Sequence, residues 1–161
     1  MKKPFLGFLF AIILAFSTTV RAEGMCGENE SVIFNCELHS STASLCEAKD
    51  AKVLTYRYGK EEKIELEISD AGFKRGNIFH FSDVPYSGGG EAHIRFSRGG
   101  YTYYLYDKTV KTESGPQFSA GIVIYRGIRR IGDRICVNDA SIRQSAYSEI
   151  EREEYRDIRS K

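Results

Sequence analysis

Three histidines are the first candidates for acid–base chemistry, because an imidazole titrates near neutral pH. They are His39, His80 and His93. Ser82 and Asp83 follow His80 closely, which suggests a Ser-His-Asp arrangement. A nucleophilic serine, however, needs a base within reach and often a strained turn such as Gly-x-Ser-x-Gly, which does not surround Ser82. The sequence therefore predicts no catalytic residue, and His80 or His93 would be the acid–base group only if the protein were an enzyme.

Closely spaced carboxylates are the second chemical feature: Glu61 with Glu62, Glu65 with Glu67, and Glu151 with Glu153 and Glu154. Hydrolysis by two carboxyl groups requires them to lie in different environments. Glu65 and Glu67 fall on one face of an expected strand, where both are solvated alike, so they do not indicate a glycosidase.

The four cysteines are Cys26, Cys36, Cys46 and Cys136. They form no Cys-x-x-Cys pair and no paired histidines accompany them, so neither a metal nor a cofactor is expected. An even number in an exported chain predicts two disulfides, for which three pairings are possible. We favour Cys36–Cys46, because both fall on one expected hairpin, and this leaves Cys26–Cys136.

The first 22 residues have the pattern of a secretory signal peptide. Lys2 and Lys3 precede an apolar run from Phe5 to Phe16, which is too short to span a bilayer comfortably. We expect cleavage after Ala22 and a periplasmic, or secreted, mature protein in an oxidising compartment. The chain carries a net charge of +1, of which residues 1–22 supply three basic and no acidic groups, so the mature part carries −2. Such a charge does not favour binding to nucleic acid or anionic lipid.

Short strands separated by turns make up residues 23–139, and these predict an all-β fold: one antiparallel β-sandwich or barrel-like domain. Ile64, Leu66 and Ile68 alternate with charged residues, as in a half-buried strand. The expected strands cover residues 31–38, 43–47, 53–58, 63–68, 77–81, 92–96, 101–106, 120–125 and 134–137.

Residues 140–161 form a charged tail without glycine or proline from residue 141 onwards. Ser141 and Gln144 could form a capping box, and a narrow apolar stripe at helical spacing follows. The stripe consists of Ile142, Ala146, Ile150 and Ile158. The pattern predicts a charged C-terminal helix, either docked on the domain or available to a partner.

Glycine-rich and tyrosine-rich segments are the candidate contact surfaces, since loops and tyrosines recur at interfaces. In the run from Tyr101 to Tyr106, alternate residues face opposite sides, and we expect Tyr104 and Tyr106 to lie with Arg95 on a partly exposed face. The predicted partner-binding residues are Ser87, Gly88, Gly89, Glu91, Arg98, Tyr104 and Tyr106. Glu91 is the acidic side chain expected to enter a cationic cleft of the partner.

A series of short segments resembles a group of small exported four-cysteine β proteins of Gram-negative bacteria. They are Cys26, Val-Ile-Phe-Asn-Cys (32–36), Leu-Cys (45–46), Tyr-Arg-Tyr-Gly-Lys (56–60), Gly-Gly-Gly-Glu (88–91), Gly-Gly-Tyr-Thr-Tyr (99–103) and Ile-Cys-Val (135–137). A more distant likeness is to the periplasmic and membrane-bound inhibitors of C-type lysozyme. Ser87-Gly88 is similar to the Ser-Gly of that family's inhibitory loop, and the Lys-Tyr that follows it there has no counterpart in residues 89–94.

The sequence thus favours a non-enzymatic periplasmic protein that binds a protein partner and inhibits an envelope-targeting hydrolase, as a lysozyme inhibitor or a toxin immunity protein. Two alternatives stay open. One is an envelope assembly or structural factor that docks through the charged tail. The other is an enzyme of unknown type that uses His80 or His93. The partner and the oligomeric state are left open.

Overall fold

The computed structural model of the chain describes residues 23–60, 63–73 and 78–159. The expected signal peptide therefore lies outside the described residues, as do Glu61 and Glu62. Within those ranges, no helix is long and apolar enough to cross a membrane.

Two β-sheets and a single helical turn make up the described chain, which confirms the all-β prediction. The first sheet has four antiparallel strands in chain order: β1 (Glu30–Glu37), β2 (Thr42–Ala48), β3 (Leu54–Lys60) and β4 (Lys63–Ser69). The second sheet contains β5 (His80–Tyr86), β6 (Gly89–Arg98), β7 (Tyr101–Thr112), β8 (Gly115–Arg126) and β9 (Arg129–Ile135). After α1 (Ala146–Glu149), the short strand β10 (Glu151–Arg152) pairs in parallel with β5.

The main core lies between the two sheets, because alternate side chains of each sheet turn towards the other. Aromatic rings meet there: the centroids of Tyr56 and Phe96 are 4.6 Å apart, and those of Phe79 and Phe96 are 5.2 Å apart. The alternation predicted for β4 holds towards its end, where Ile68 is buried, whereas Ile64 is 48% exposed. This edge strand is therefore covered over only part of its length.

The four cysteines form two disulfides, as predicted, but the favoured pairing was wrong. The bridges are Cys26–Cys46 and Cys36–Cys136. The β1–β2 hairpin does form, yet its register places Cys36 opposite Ala43 and Cys46 opposite Val32. The two cysteines of the hairpin are therefore several residues apart along the strands, too far for a disulfide.

The C-terminal helix is limited to the four residues Ala146–Glu149, so the prediction of a helix throughout the tail was wrong. The apolar residues of the expected stripe are buried, but against different parts of the domain. Ile142, Ala146 and Ile150 join the main core. Ile158 packs on the opposite face of the second sheet. Extended chain reaches both places, whereas a continuous helix would keep the whole stripe on one side.

Candidate functional site

The outer face of the second sheet, which points away from the main core, carries most of the candidate polar residues. Along β6, Ala92 and Ile94 belong to the core, and the alternation of a strand turns Glu91, His93 and Arg95 to the outer face. On β7, Tyr104 pairs with Arg95 in the sheet register, so it shares this face. The predicted grouping of Arg95 with Tyr104 and Tyr106 is therefore present.

Residues 153–159, called here the C-terminal strap, cross this outer face. Glu153 receives hydrogen bonds from Arg95 Nε at 2.7 Å and from Arg95 Nη2 at 2.6 Å, a two-pronged ion pair. The ring of Tyr155 stacks on His93 with centroids 4.9 Å apart. Ile158, only 1% exposed, packs with Tyr104, Tyr106 and Val123.

Because of the strap, the expected exposed tyrosine face is covered by the chain itself. Tyr104 and Tyr106 are 8% and 3% exposed. The Tyr125 hydroxyl also donates to the Ile158 carbonyl oxygen at 2.8 Å. The expectation that these phenols are partly exposed was wrong, because the tail that was expected to be helical lies flat over them.

Glu91 is the centre of a buried polar network beneath the strap. Its Oε1 lies 2.8 Å from Nε2 of His93, and its Oε2 accepts a hydrogen bond from the Tyr86 hydroxyl at 2.6 Å. The Lys108 ammonium is 3.1 Å from the same Oε2. Glu91 is therefore enclosed and bonded within its own chain, rather than projecting towards a partner.

The network keeps Glu91 ionised. Burial by itself raises the pKa of this carboxyl, but hydrogen bonds from His93, Tyr86 and Lys108 outweigh burial and lower the pKa to about 2. Burial and the hydrogen bond to Glu91 raise the pKa of the Tyr86 hydroxyl, which stays protonated. A carboxylate that stays ionised accepts hydrogen bonds from the surrounding donors, and it cannot serve as a general acid near neutral pH.

The structure also separates the residues of the suspected Ser-His-Asp arrangement. Ser82 lies directly opposite His93 in the β5–β6 pair, and His80 lies opposite Arg95. Strand alternation therefore places His80 and Ser82 on the outer face and Asp83 on the inner face. Burial, and secondly the charge of Arg95, lower the pKa of His80. The three side chains do not form a triad, and His39 is exposed in a turn.

At one end of the second sheet, the β5–β6 turn lies beside the longer β7–β8 hairpin. Ser87 and Gly88 form the exposed turn, and Gly88 has φ = 87°. A Cβ on Gly88 would lie 2.7 Å from that of Lys111, so glycine permits both the turn and this close contact. Phe118 of β8 is 69% exposed. It lies in the same cross-strand row as Gly90, two strands away. We call Ser87, Gly88, Lys111 and Phe118 the hairpin end.

An open cleft of about 480 Å³, called here the overhang cleft, adjoins the hairpin end. Asp83 and Asp107 lie on either side of Ala92 in one cross-strand row, and Tyr147 of α1 also lines the cleft. Burial raises the pKa of Asp107, which accepts a hydrogen bond from the Ile142 amide at 3.1 Å. Asp83 is bonded to Arg152. The cleft thus offers acidic groups close to an exposed apolar side chain.

The predicted partner-binding residues do not share one surface. Ser87, Gly88 and Gly89 lie at or next to the hairpin end, whereas Arg98 ends β6 about 30 Å away at the usual rise of a strand. Glu91, Tyr104 and Tyr106 lie beneath the strap. Arg95 and Tyr104 still border a cleft of about 440 Å³, which Arg156 of the strap also lines.

Sequence reasoning missed several residues that the structure brings together, namely Tyr86, Lys108, Tyr155, Asp107 and Phe118, and it considered Asp83 only for a Ser-His-Asp arrangement. The period of two assigns Asp107 to the core-facing side of β7, together with Tyr103 and Leu105, and this signal was available in the sequence. The positions opposite each strand depend on register, which the sequence pattern does not determine.

Within the part of the chain that the structure describes, one group of potential metal ligands lies close together, namely Cys26, Glu30 and Cys46. The two sulfur atoms are bonded to each other, and the Glu30 carboxylate accepts hydrogen bonds from Arg57 at 2.7 and 2.9 Å. These residues form a disulfide and an ion pair and do not suit a metal ion.

No protein-family model, curated protein or solved structure matches this chain.

Proposed function

We propose that this protein is an exported, non-enzymatic binding protein that inhibits a hydrolase of the cell envelope, with the hairpin end and the overhang cleft as its contact surface. The hydrolase would be a lysozyme-like enzyme or a delivered toxin. The observation that carries the proposal is the exposed Ser87–Gly88 turn, which stands beside Phe118 and an acidic cleft.

The proposed contact has a geometric and an electrostatic part. The Ser87–Gly88 turn has small side chains, so it can enter a narrow active-site cleft. Phe118 provides an apolar anchor, a type of residue that contributes strongly at interfaces. Asp107, which accepts a backbone hydrogen bond and is not bonded to Arg152 as Asp83 is, would receive a cationic side chain of the partner, the role that the sequence assigned to Glu91.

The scaffold supports such a role because the contact surface lies on paired strands of the second sheet, where β5 pairs with β6 and β7 pairs with β8. The two disulfides lie elsewhere in the domain and fit an oxidising, exported compartment. A surface that is ordered before binding loses less conformational entropy when the complex forms. An inhibitor benefits from this, because its loop must hold one conformation in the active site of the hydrolase. Periplasmic residence is part of the same proposal.

The test is an inhibition assay with the oxidised protein, residues 23–161. The protein is titrated into cell-wall hydrolysis by a C-type lysozyme and by hydrolases retained on the immobilised protein from envelope extracts. We expect stoichiometric inhibition of one hydrolase, weakened at least about tenfold by Ser87→Arg and by Phe118→Ala. Ala51→Arg, an equally exposed change in the β2–β3 turn, is the matched control. Loss of inhibition in the control, or unchanged inhibition in both hairpin-end variants, would refute the assignment.

An enzyme that uses His93 is the second candidate, and one observation favours it. His93 is fully buried, and among the described residues its Nδ1 has no hydrogen-bond partner. A substrate would reach this nitrogen only after the strap moved. The expected signature is a pH–rate profile with an inflection that disappears in His93→Ala and persists in His39→Ala. An unchanged profile in His93→Ala would exclude this candidate.

A further inference from the structure

The sandwich has an open side between the β3–β4 hairpin of the first sheet and strands β7 to β9 of the second. A cleft of about 270 Å³, called here the flank cleft, lies there. Its walls are mainly aromatic and aliphatic: Tyr56, Tyr58, Leu66, Tyr103, Ile122 and Ile124. Glu65 and Arg134 complete the lining. A concave apolar surface with few polar groups is typical of a binding site.

Strand β9 borders this cleft and is the last strand of its sheet. It pairs with β8 on one side, and among the described residues no strand pairs with its other side. Exposed apolar side chains accompany this free edge, since Ile131 is 49% exposed and Ile135 is 64% exposed; the edge ends at Val137, whose amide donates to the Glu37 carbonyl oxygen at 2.8 Å. A free edge with unpaired backbone groups can accept a further strand.

The charge along β9 indicates what kind of strand it would accept. Arg126, Arg129, Arg130 and Arg134 lie on or next to this edge, and the single acid, Asp133, is already bonded to Arg130. A second copy pairing through β9 would bring arginines opposite arginines, which is unfavourable. An acidic strand would instead place carboxylates beside the guanidinium groups.

The register shows how such a strand would use the flank cleft. Gly132 pairs with Ile124 and Arg134 pairs with Ile122, so both positions face the cleft side of the sheet. Gly132 presents no side chain there, which leaves room at the entrance beside Ile124. In an added strand, every second side chain would point to the same side.

From this placement, we propose that β9 is a docking edge for an extended segment of a protein partner that carries an apolar residue and, two positions away on the same face, an acidic residue. The backbone of the segment pairs with β9, the apolar side chain enters the flank cleft beside Gly132, and the acidic side chain lies beside Arg134. This surface is separate from the hairpin end, so it stands independently of the proposed inhibition.

The probe is a labelled extended peptide with one central Phe and a Glu two positions before and two positions after it, so that Phe and Glu share one face, and binding is measured by fluorescence anisotropy with the oxidised protein. We expect saturable binding that weakens with salt, as charge pairing requires. Arg134→Glu should weaken binding at least about tenfold, whereas Lys49→Glu, an exposed charge reversal at the end of β2, should not change it. Gly132→Phe should also block the site, because its ring would occupy the entrance to the flank cleft.

A second measurement shows where the peptide binds. Hydrogen exchange should slow at β9 amides when the peptide is added, without slowing at Ser87 or Gly88. Equal affinity for a peptide with Lys in place of Glu would overturn the charge argument. Absence of binding, protection elsewhere than β9, or dimerisation of the protein through β9 would overturn the proposal. Ser87→Arg should leave peptide binding intact, so the two proposals can fail separately.

Discussion

A single buried carboxylate organises the outer face of the second sheet. Removing a charge from water is costly unless partners replace the lost solvation. Glu91 has three such partners, His93, Tyr86 and Lys108, on three adjacent strands. Because these partners enclose the carboxylate, Glu91 stabilises the native structure of this chain. Glu91→Ala would therefore disturb the fold as well as any contact, and it is a poor probe of binding.

The pH dependence of stability tests this network. The pKa of Glu91 is lowered to about 2 in the folded protein, compared with about 4.3 in an unfolded chain. Its charge therefore stabilises the fold above pH of about 4.5, and this contribution is lost as pH falls towards 2. We expect Glu91→Gln to lower the free energy of unfolding at pH 7 by about 2–3 kcal/mol and to flatten its decline in acid. Urea midpoints measured from pH 7 to pH 3 give the comparison.

The matched control is Glu65→Gln, since Glu65 is exposed on β4. Its unfolding free energy should follow the wild-type pH profile. If Glu91→Gln declined in acid as steeply as the wild type, the network would not hold the carboxylate in its ionised form.

At the scale of elements, the C-terminal strap makes the charged tail an integral part of the domain. Arg95 holds Glu153, His93 stacks with Tyr155, and the tyrosine cluster encloses Ile158. The apolar side chains that a docking helix would offer to a partner are already buried within this chain. An assembly role for the tail would therefore require these contacts to be released first.

Truncating the strap's apolar anchor should measure its contribution. Ile158→Ala removes buried methyl groups among Tyr104, Tyr106 and Val123, so we expect a loss of about 2–4 kcal/mol in the free energy of unfolding. Ile128→Ala is the control, because Ile128 is 101% exposed and its truncation should have almost no effect. Denaturant titrations of both variants give the answer. Equal stability of the two would mean that the strap is not packed in solution.

The strands and the β6–β7 turn could be predicted from the sequence, whereas the conformation of the tail could not, and the reason is physical. Alternation in Lys63–Ser69 and the two glycines between β6 and β7 are local signals, and each marked its element. The tail carried a misleading signal, because a spacing of four residues between Ile142, Ala146 and Ile150 suits a helix. The tail is mainly extended because it packs on two faces of the second sheet, and such long-range contacts leave no periodic pattern in the sequence.

The same limit applies to the candidate site. Ser87 and Gly88 could be chosen from local turn chemistry, and they are exposed as expected. The burial of Glu91 could not be predicted, because it depends on Lys108 opposite it in the sheet and on the strap above. The proximity of Asp83 and Asp107 likewise follows from the register of three strands.

In the whole molecule, the two disulfides act over very different lengths of chain. Cys26–Cys46 joins the N-terminal segment to β2 across 20 residues. Cys36–Cys136 joins β1 of the first sheet to the segment after β9 of the second across 100 residues. The second bridge therefore connects the two halves of the sandwich, and in the chain-entropy account it restricts the unfolded chain more.

Removing the bridges one at a time should show this difference. We expect the double variant Cys36→Ala with Cys136→Ala to lose about 4–5 kcal/mol, and Cys26→Ala with Cys46→Ala to lose about 3 kcal/mol. Urea unfolding of both, compared with the oxidised wild type, provides the measurement. A larger loss from the Cys26–Cys46 pair would contradict the assigned order.

The strap follows every described strand of both sheets along the chain, which has a consequence for the order of synthesis. Both sheets consist mainly of neighbouring strands paired in sequence, so each can assemble as the polypeptide emerges. The outer face of the second sheet, however, waits for residues 153–158. A chain interrupted shortly before them would hold nearly every strand and still display Tyr104, Tyr106 and Val123 to solvent. Such a product would expose an apolar surface that favours aggregation, and the strap removes this surface when it packs.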